Sequence, residues 1–271
     1  MPKAKNWWFK GVNMKLYFKY FTTQIKANMT YRASTLFASL GQLLGTITTL
    51  IGIYLLFGKF DHLSDYSFKH ILLTYAIVIF VFSFDEMIFR GFDEFDKLVS
   101  TGEMDRLLLR PRNLVLQICG YKIEPMKLGR VLFGLALIIF ACINLGIEWT
   151  FLKVLIVIEM IISGIITFFG VYLFTASITI FTINRAEFIN IFTDGGRELC
   201  YYPLDIFKKF ISRLFTFIIP FATFNYMPLR FLLGFSDASV WNIVYPLISI
   251  VFCIIGYFVF NLCMRKYKSC G

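Results

Sequence analysis

Three groups of residues in this chain have types and spacings that could do chemistry. The first is a run of acids, Asp85 and Glu86 followed by Asp93, Glu94 and Asp96. Such a cluster can hold a hard cation or share a catalytic proton. Arg90 and Lys97 are interleaved with it, so the expected role is a solvated, ion-paired face. The second is Glu159, alone inside a long apolar stretch. A carboxylate in lipid costs several kcal/mol unless it faces a cavity or is protonated. Glu159 could therefore line a substrate path, although Glu148 and Lys153 nearby favour placing it in the outer interface. The third is the glycine run from Gly52 to Lys59. It has one residue too many for a nucleotide loop, lacks the following Ser or Thr, and falls at the end of an apolar stretch. The chain therefore has no means of its own to hydrolyse ATP.

Other reactive patterns do not occur. There is no HExxH and no nucleophile elbow, which argues against a membrane-embedded enzyme. No two cysteines have ligand spacing, and His62 and His70 share one loop, so no metal is expected. Cys142, Cys253 and Cys263 lie in apolar stretches and Cys119, Cys200 and Cys270 in basic segments, which makes a structural disulfide unexpected.

The elements that carry these groups are long and apolar. With 58% hydrophobic and 16% charged residues and a mean hydropathy of +0.71, a soluble fold would have far too much apolar surface to hide. A bilayer core about 30 Å thick calls for roughly 20 apolar residues per spanning helix. Six stretches qualify: Ala33 to Phe57, Phe68 to Phe89, Leu128 to Gly146, Phe151 to Ile183, Phe207 to Phe224 and Val240 to Met264. The sequence thus predicts an all-α polytopic membrane protein with six transmembrane helices. Pro220 and Pro246 should bend the last two, Gly41 and Gly45 should let another helix approach the first, and 225–239 should form an outer re-entrant segment.

Basic residues fix the expected orientation. The leader before the first span, the second-to-third and fourth-to-fifth connections and the tail together hold 23 of the 27 Lys and Arg. Both termini are therefore expected in the cytoplasm and the protein in the plasma membrane, facing anionic lipid. The net charge of +10 is spread over short loops, which argues against nucleic acid. Residues 1–32 lack a signal-peptide core. Phe9, Val12, Leu16 and Tyr20 recur at helical spacing among lysines, predicting an interfacial amphipathic helix. The membrane domain then covers 33–264 and the tail 265–271.

The connection 91–127 is too long and too charged for a turn. Ser100-Thr101-Gly102-Glu103 reads as a capping box. It predicts a helix from Gly102 to Arg110 with Met104, Leu107 and Leu108 on one face, Glu103 paired with Arg106, and Pro111 ending it. Asp105, Arg106, Arg110 and Arg112 would surround the apolar stripe. Such a helix either fits a partner's groove or lies along the headgroups.

This stretch, Ser100 to Pro111, follows a basic leader and lies between the second and third of six spans. It resembles the ABC type-2 exporter permeases, most closely the branch reading small-Gly-acid-hydrophobic-Asp-x-Leu-Leu-x-Arg-Pro. The later Pro228-Leu229-Arg230 and Gly234 resemble their outer re-entrant region more weakly. The resemblance implies a coupling helix, carried onto Gly102, Glu103, Met104, Asp105, Arg106, Leu107, Leu108 and Arg110, that docks on a separate cytoplasmic ATP-binding subunit. It also implies pairing with a second permease subunit, identical or related. It places ATP and Mg on the partner ATPase, with no cofactor on this chain. Peptide, drug, lipid and glycan all remain open as substrates. An ion-coupled secondary transporter or channel is the alternative.

Overall fold

The computed structural model describes residues 14–60, 65–182, 190–235 and 241–267. Helix α1 (Met14–Thr30) breaks at Tyr31 and continues as α2 (Arg32–Lys59); α3 (Phe68–Asp93) returns. The connection that follows holds α4 (Phe95–Ser100), α5 (Glu103–Leu108) and α6 (Leu114–Tyr121), and leads into the hairpin α7 (Leu128–Asn144) and α8 (Phe151–Thr182). Beyond it come α9 (Gly196–Leu199), α10 (Lys209–Phe217), α11 (Phe221–Phe224), α12 (Tyr226–Leu233), α13 (Trp241–Val244) and α14 (Ile248–Met264). Five helical runs are long and apolar enough to cross a membrane, and a sixth is counted if α10 and α11–α12, bent by 78°, form one span.

α3 is the central post. Its apolar window is 83% buried against 17% for α2, and α7 and α8 pack along it. Lipid tails compete with apolar side chains, so close approach at small residues has to hold such helices together. A β-carbon on Gly134 of α7 would lie 2.9 Å from the Phe80 backbone of α3, and one on Gly256 of α14 would lie 3.3 Å from the Gly170 carbonyl of α8. A hydroxyl pair, Thr167 Oγ1 to Ser249 Oγ at 2.8 Å, also joins α8 to α14. Within this chain the Gly41 and Gly45 pair, which its spacing leaves open to an internal or an intersubunit contact, does not serve this purpose. Gly41 and Gly45 have nothing within 4 Å of a built β-carbon and lie on a helix whose Phe37, Leu40 and Leu44 are exposed.

The fifth crossing also differs from expectation. Residues 207–224 do not form one helix: α10 ends at Phe217, and Pro220 opens α11 after a sharp turn. The contacts along α3 identify the part that crosses. Arg197 lies over the Phe82 ring at 4.7 Å. Tyr201 packs on Tyr75 at 4.8 Å. Asp205 binds Arg230 at 3.0 Å, and Arg230 lies over Phe235, which packs on Tyr66. From Phe82 to the start of α3 at Phe68, next to Tyr66, the chain climbs about 21 Å along α3 at 1.5 Å per residue. The segment 190–207 thus makes the crossing, through a π turn (Ile191–Gly195), α9 and a 3₁₀ turn (Leu204–Ile206).

The pair α10 and α11–α12 then forms a hairpin at the far end. It dips to Phe168, which touches Phe221 and Phe224, and returns. Lys208, Lys209 and Arg213 move to that end with it, correcting their assignment to the basic side. Pro246 sits in a 3₁₀ turn (Tyr245–Leu247) that joins α13 and α14 into one apolar run, Trp241–Met264.

α1 is fixed to the bundle as well as amphipathic. Tyr17 donates to the Ile88 carbonyl at 3.3 Å and Gln24 to that of Tyr121 at 3.3 Å, while the Tyr20 ring fills the space beside Gly120. Phe9 and Val12 lie outside the described residues, as does the Leu16 side chain.

Candidate functional site

The connection from α3 to α7 builds a compact unit at the basic end. Its first device is a break. Gly102 has φ +71°, the left-handed region that glycine enters without penalty. It separates α4 from α5 and leaves Ser100 as the last residue of α4. The expected capping box therefore does not form. The Ser100 and Thr101 hydroxyls donate instead to the Lys97 carbonyl, at 3.4 and 2.6 Å, and the helix begins at Glu103, closed by the Asp105 amide bonding to the Gly102 carbonyl at 3.1 Å.

No atom lies within 4 Å of a β-carbon built on Gly102, so substitution there acts through strain alone. Gly102→Ala is expected to lower stability by about 1–2 kcal/mol, with Gly102→Asn costing less. Denaturation of the two variants side by side checks the order.

α5 ends at Leu108 ahead of Pro111. The Asn113 side chain then accepts the Leu116 amide at 3.1 Å and caps α6. That cap was readable as an Asn before an apolar run, and sequence reasoning had missed it.

The stripe on α5 is real, but it faces the chain's own core. Met104 is fully buried and Leu107 nearly so, with Leu108 half-buried. They join a cluster with Phe95, Leu98, Leu114, Ile118, Ile180 and Phe260, contributed by α4, α6, α8 and α14. Neither docking on a partner by the stripe nor resting it on headgroups fits this burial. What α5 and the turn after it show outward is mixed: Arg106, its side chain 62% exposed and paired with Glu103 at 3.5 Å, then apolar Leu109 at 76% and exposed Arg110 and Arg112. Glu103 and Asp105 are half-buried. Burial raises the Tyr121 phenol, as does its hydrogen bond to Glu103, which ties α5 to α6. Burial also pushes the Cys119 thiol up to about 12.

The second device is an electrostatic brace, which corrects the expectation of a solvated acidic face. Glu86 is buried and meets Lys127 at 3.0 Å and Arg130 at 2.9 Å. Arg90 lies 3.5 Å from Glu86, 3.4 Å from Glu94 and 3.5 Å from Glu124, and also pairs with Asp93. Lys122 reaches Glu124 at 3.2 Å and Glu94 at 2.5 Å; Lys97 adds a bond to Glu94 at 2.8 Å. Burial works against the Glu94 charge, but the hydrogen bonds from Lys122 and Lys97 and the charge of Arg90 hold its carboxyl down to about 2. Every acid in this network meets a cation, so it acts as a clamp between the last turns of α3 and the first of α7. Asp85 is enclosed outside it and makes no ion pair among the described residues.

The sequence as a whole points the same way as this unit. A family model described as "ABC-2 family transporter protein" matches residues 43–271. The chain belongs to the ABC-2 transporter family. No curated protein and no solved structure matches it. In this ABC-2 chain the matched region contains α5 and the whole brace, and the leader α1 precedes it.

Glu159 of the ABC-2 chain sits elsewhere, on α8. That helix runs unbroken from Phe151, and Lys153 turns away to the Glu148 carbonyl at 3.0 Å. Phe169 packs on Phe89 and Phe92, next to the charged Arg90 and Asp93, so the hydrocarbon edge at the basic end lies near there. Back along α8 from Phe169 to its start at Phe151 is 18 residues, about 27 Å and close to a full hydrocarbon thickness. Glu159 is therefore inside the apolar layer, not beside Glu148 and Lys153 in the interface. The residues of α5 and Glu159 belong to separate sites.

Proposed function

We propose that this chain is the permease subunit of an ABC exporter that moves a hydrophobic or amphipathic compound across the plasma membrane, with both termini in the cytoplasm. A separate cytoplasmic ATP-binding subunit hydrolyses ATP with Mg and grips α5, and a second permease subunit completes the path. The observation that carries this reading is the shape of α5. It is a six-residue helix anchored by buried Met104 and Leu107, presenting Arg106, Leu109 and Arg110 outward.

A push on that face has two routes into the bundle. One runs through the apolar cluster to α8 and α14; the other runs through α6 and the brace to α3 and α7. Both routes are stiff, since close-packed interiors and paired buried charges transmit displacement rather than absorb it. The chain itself is non-catalytic in this scheme.

Affinity purification of tagged protein in mild detergent tests it. A soluble ATP-binding protein should accompany the wild type. The doubly charge-reversed variant Arg106→Glu/Arg110→Glu should lose that partner by about tenfold or more while inserting and folding normally. Retention of the partner by the folded variant would show that the ATPase docks elsewhere.

A further inference from the structure

A groove of about 450 Å³ opens between α8 and the α13–α14 run. Its walls are apolar, formed by Leu155, Ile162, Ile166, Ile243 and Leu247, and Glu159 is the one ionisable side chain among its lining residues. Ser163, which also lines it, is occupied: its hydroxyl donates to the Glu159 backbone carbonyl at 2.6 Å. No ion pair to Glu159 occurs among the described residues. Lys153, the nearest base along the helix, is held by the Glu148 carbonyl.

We propose that this groove binds a drug-sized lipophilic monocation, with its apolar groups on the groove walls and its positive centre beside Glu159. The inference names the substrate class of the exporter proposed above and rests on that reading. The volume lies within the range of small-molecule pockets, about 300–1,000 Å³. Charge decides among occupants. A lipid tail or a neutral compound would leave Glu159 either charged and unmatched in the apolar layer or obliged to take up a proton, and a cation removes both costs. A headgroup amine is held too far out: Lys153 marks the headgroup level, as basic residues near helix ends do, and Glu159 lies six residues deeper, about 9 Å along the helix. A cation carried on an apolar body can reach that depth.

The test uses the full chain in phosphatidylcholine nanodiscs, with radiolabelled tetraphenylphosphonium as the probe and tetraphenylborate as its size-matched anion. Saturable binding of the cation and not the anion is expected. Glu159→Gln should weaken it by about 30-fold or more, and Glu159→Asp should keep most of it. Ile162→Trp, which fills the groove and leaves the charge, should weaken it as well, so the outcome does not hang on one variant folding. Binding unchanged in Glu159→Gln or in Ile162→Trp would overturn the proposal, as would equal binding of the anion. Loss of the probe when the disc lipid is phosphatidylethanolamine would place a headgroup amine in the groove and overturn it too. Capture of the ATP-binding subunit reports separately. Capture without Glu159-dependent binding sinks the groove alone, and Glu159-dependent binding without capture sinks the exporter reading alone.

Discussion

Replacing Glu86 by glutamine is expected to cost about 3–5 kcal/mol of stability, the usual effect of removing one member of a buried ion cluster. In lipid nanodiscs that is a fall in the unfolding midpoint on the order of 10 °C. The reason is what remains. Lys127 and Arg130, each 9% exposed at the side chain, meet Glu86 at about 3 Å; without it Lys127 is left with Glu124 at 3.9 Å and Arg130 with no ion pair among the described residues. At that exposure water repays only part of the lost bond. A second variant separates this cause from loss of volume. Glu86→Met combined with Arg130→Met removes one charge of each sign, so it should recover part of what Glu86→Met alone loses, since apolar replacement of a buried pair is often close to neutral. If the double variant is as unstable as the sum of its single changes, the brace is not an electrostatic unit.

The brace also shows what a sequence hides. Alternating signs between Asp85 and Lys97 suggested ion pairs, and Arg90 and Lys97 do make them. The partners that turn a surface into a clamp, Lys122, Lys127 and Arg130, lie 28 to 44 residues away from Glu94 and Glu86, beyond any local pattern. The same limit applied to α5. Helical spacing placed Met104, Leu107 and Leu108 on one face correctly, but amphipathicity says only that a stripe must be covered, not by what.

Long apolar helices were legible because lipid imposes their length and leaves the backbone no partner outside the helix. The segment 190–207 escaped for the converse reason. It carries Asp194, Arg197, Glu198 and Asp205, which no hydropathy window accepts. Its more buried charges have partners, Arg197 in Asp194 at 3.2 Å and the Phe82 ring, and Asp205 in Arg230, while Asp194 and Glu198 keep exposed carboxylates. Irregular, charged backbone at membrane depth survives only under such cover. The more apolar 207–224 next to it was the decoy. For glycines, spacing alone favoured Gly41 and Gly45, whereas the contacts that hold the bundle use Gly134, Gly170 and Gly256, whose partners lie on other helices.

Gly91→Ala is expected to detach the α4–α6 unit, to which a coupling role is proposed, from the membrane bundle. A β-carbon on Gly91 would sit 1.9 Å from the Ile118 carbonyl oxygen, and its opponent there is backbone, which cannot swing aside as a side chain can. α6 would have to back away from α3 by roughly 1 Å or more to restore normal contact. Such overpacking costs about 1–3 kcal/mol or more. The displacement would reach α5 through Leu114 and Ile118, which pack in one cluster with Met104 and Leu107. It would also strain the neighbouring tie from the Glu124 amide to the Met87 carbonyl, 3.2 Å long.

Trypsin should then cut after Arg106 or Arg112 faster than in the wild type, the Arg110-Pro111 bond being resistant, and an ATP-binding partner should be lost although the protein still inserts. Gly41→Ala is the control, since nothing stands within 4 Å of that position; it should stay within about 0.5 kcal/mol of the wild type. The two glycines differ only in what faces them. If Gly91→Ala cleaves and captures its partner as Gly41→Ala does, α6 is not what seats α5, and the proposed push on it would have to travel through α4, α8 and α14 alone.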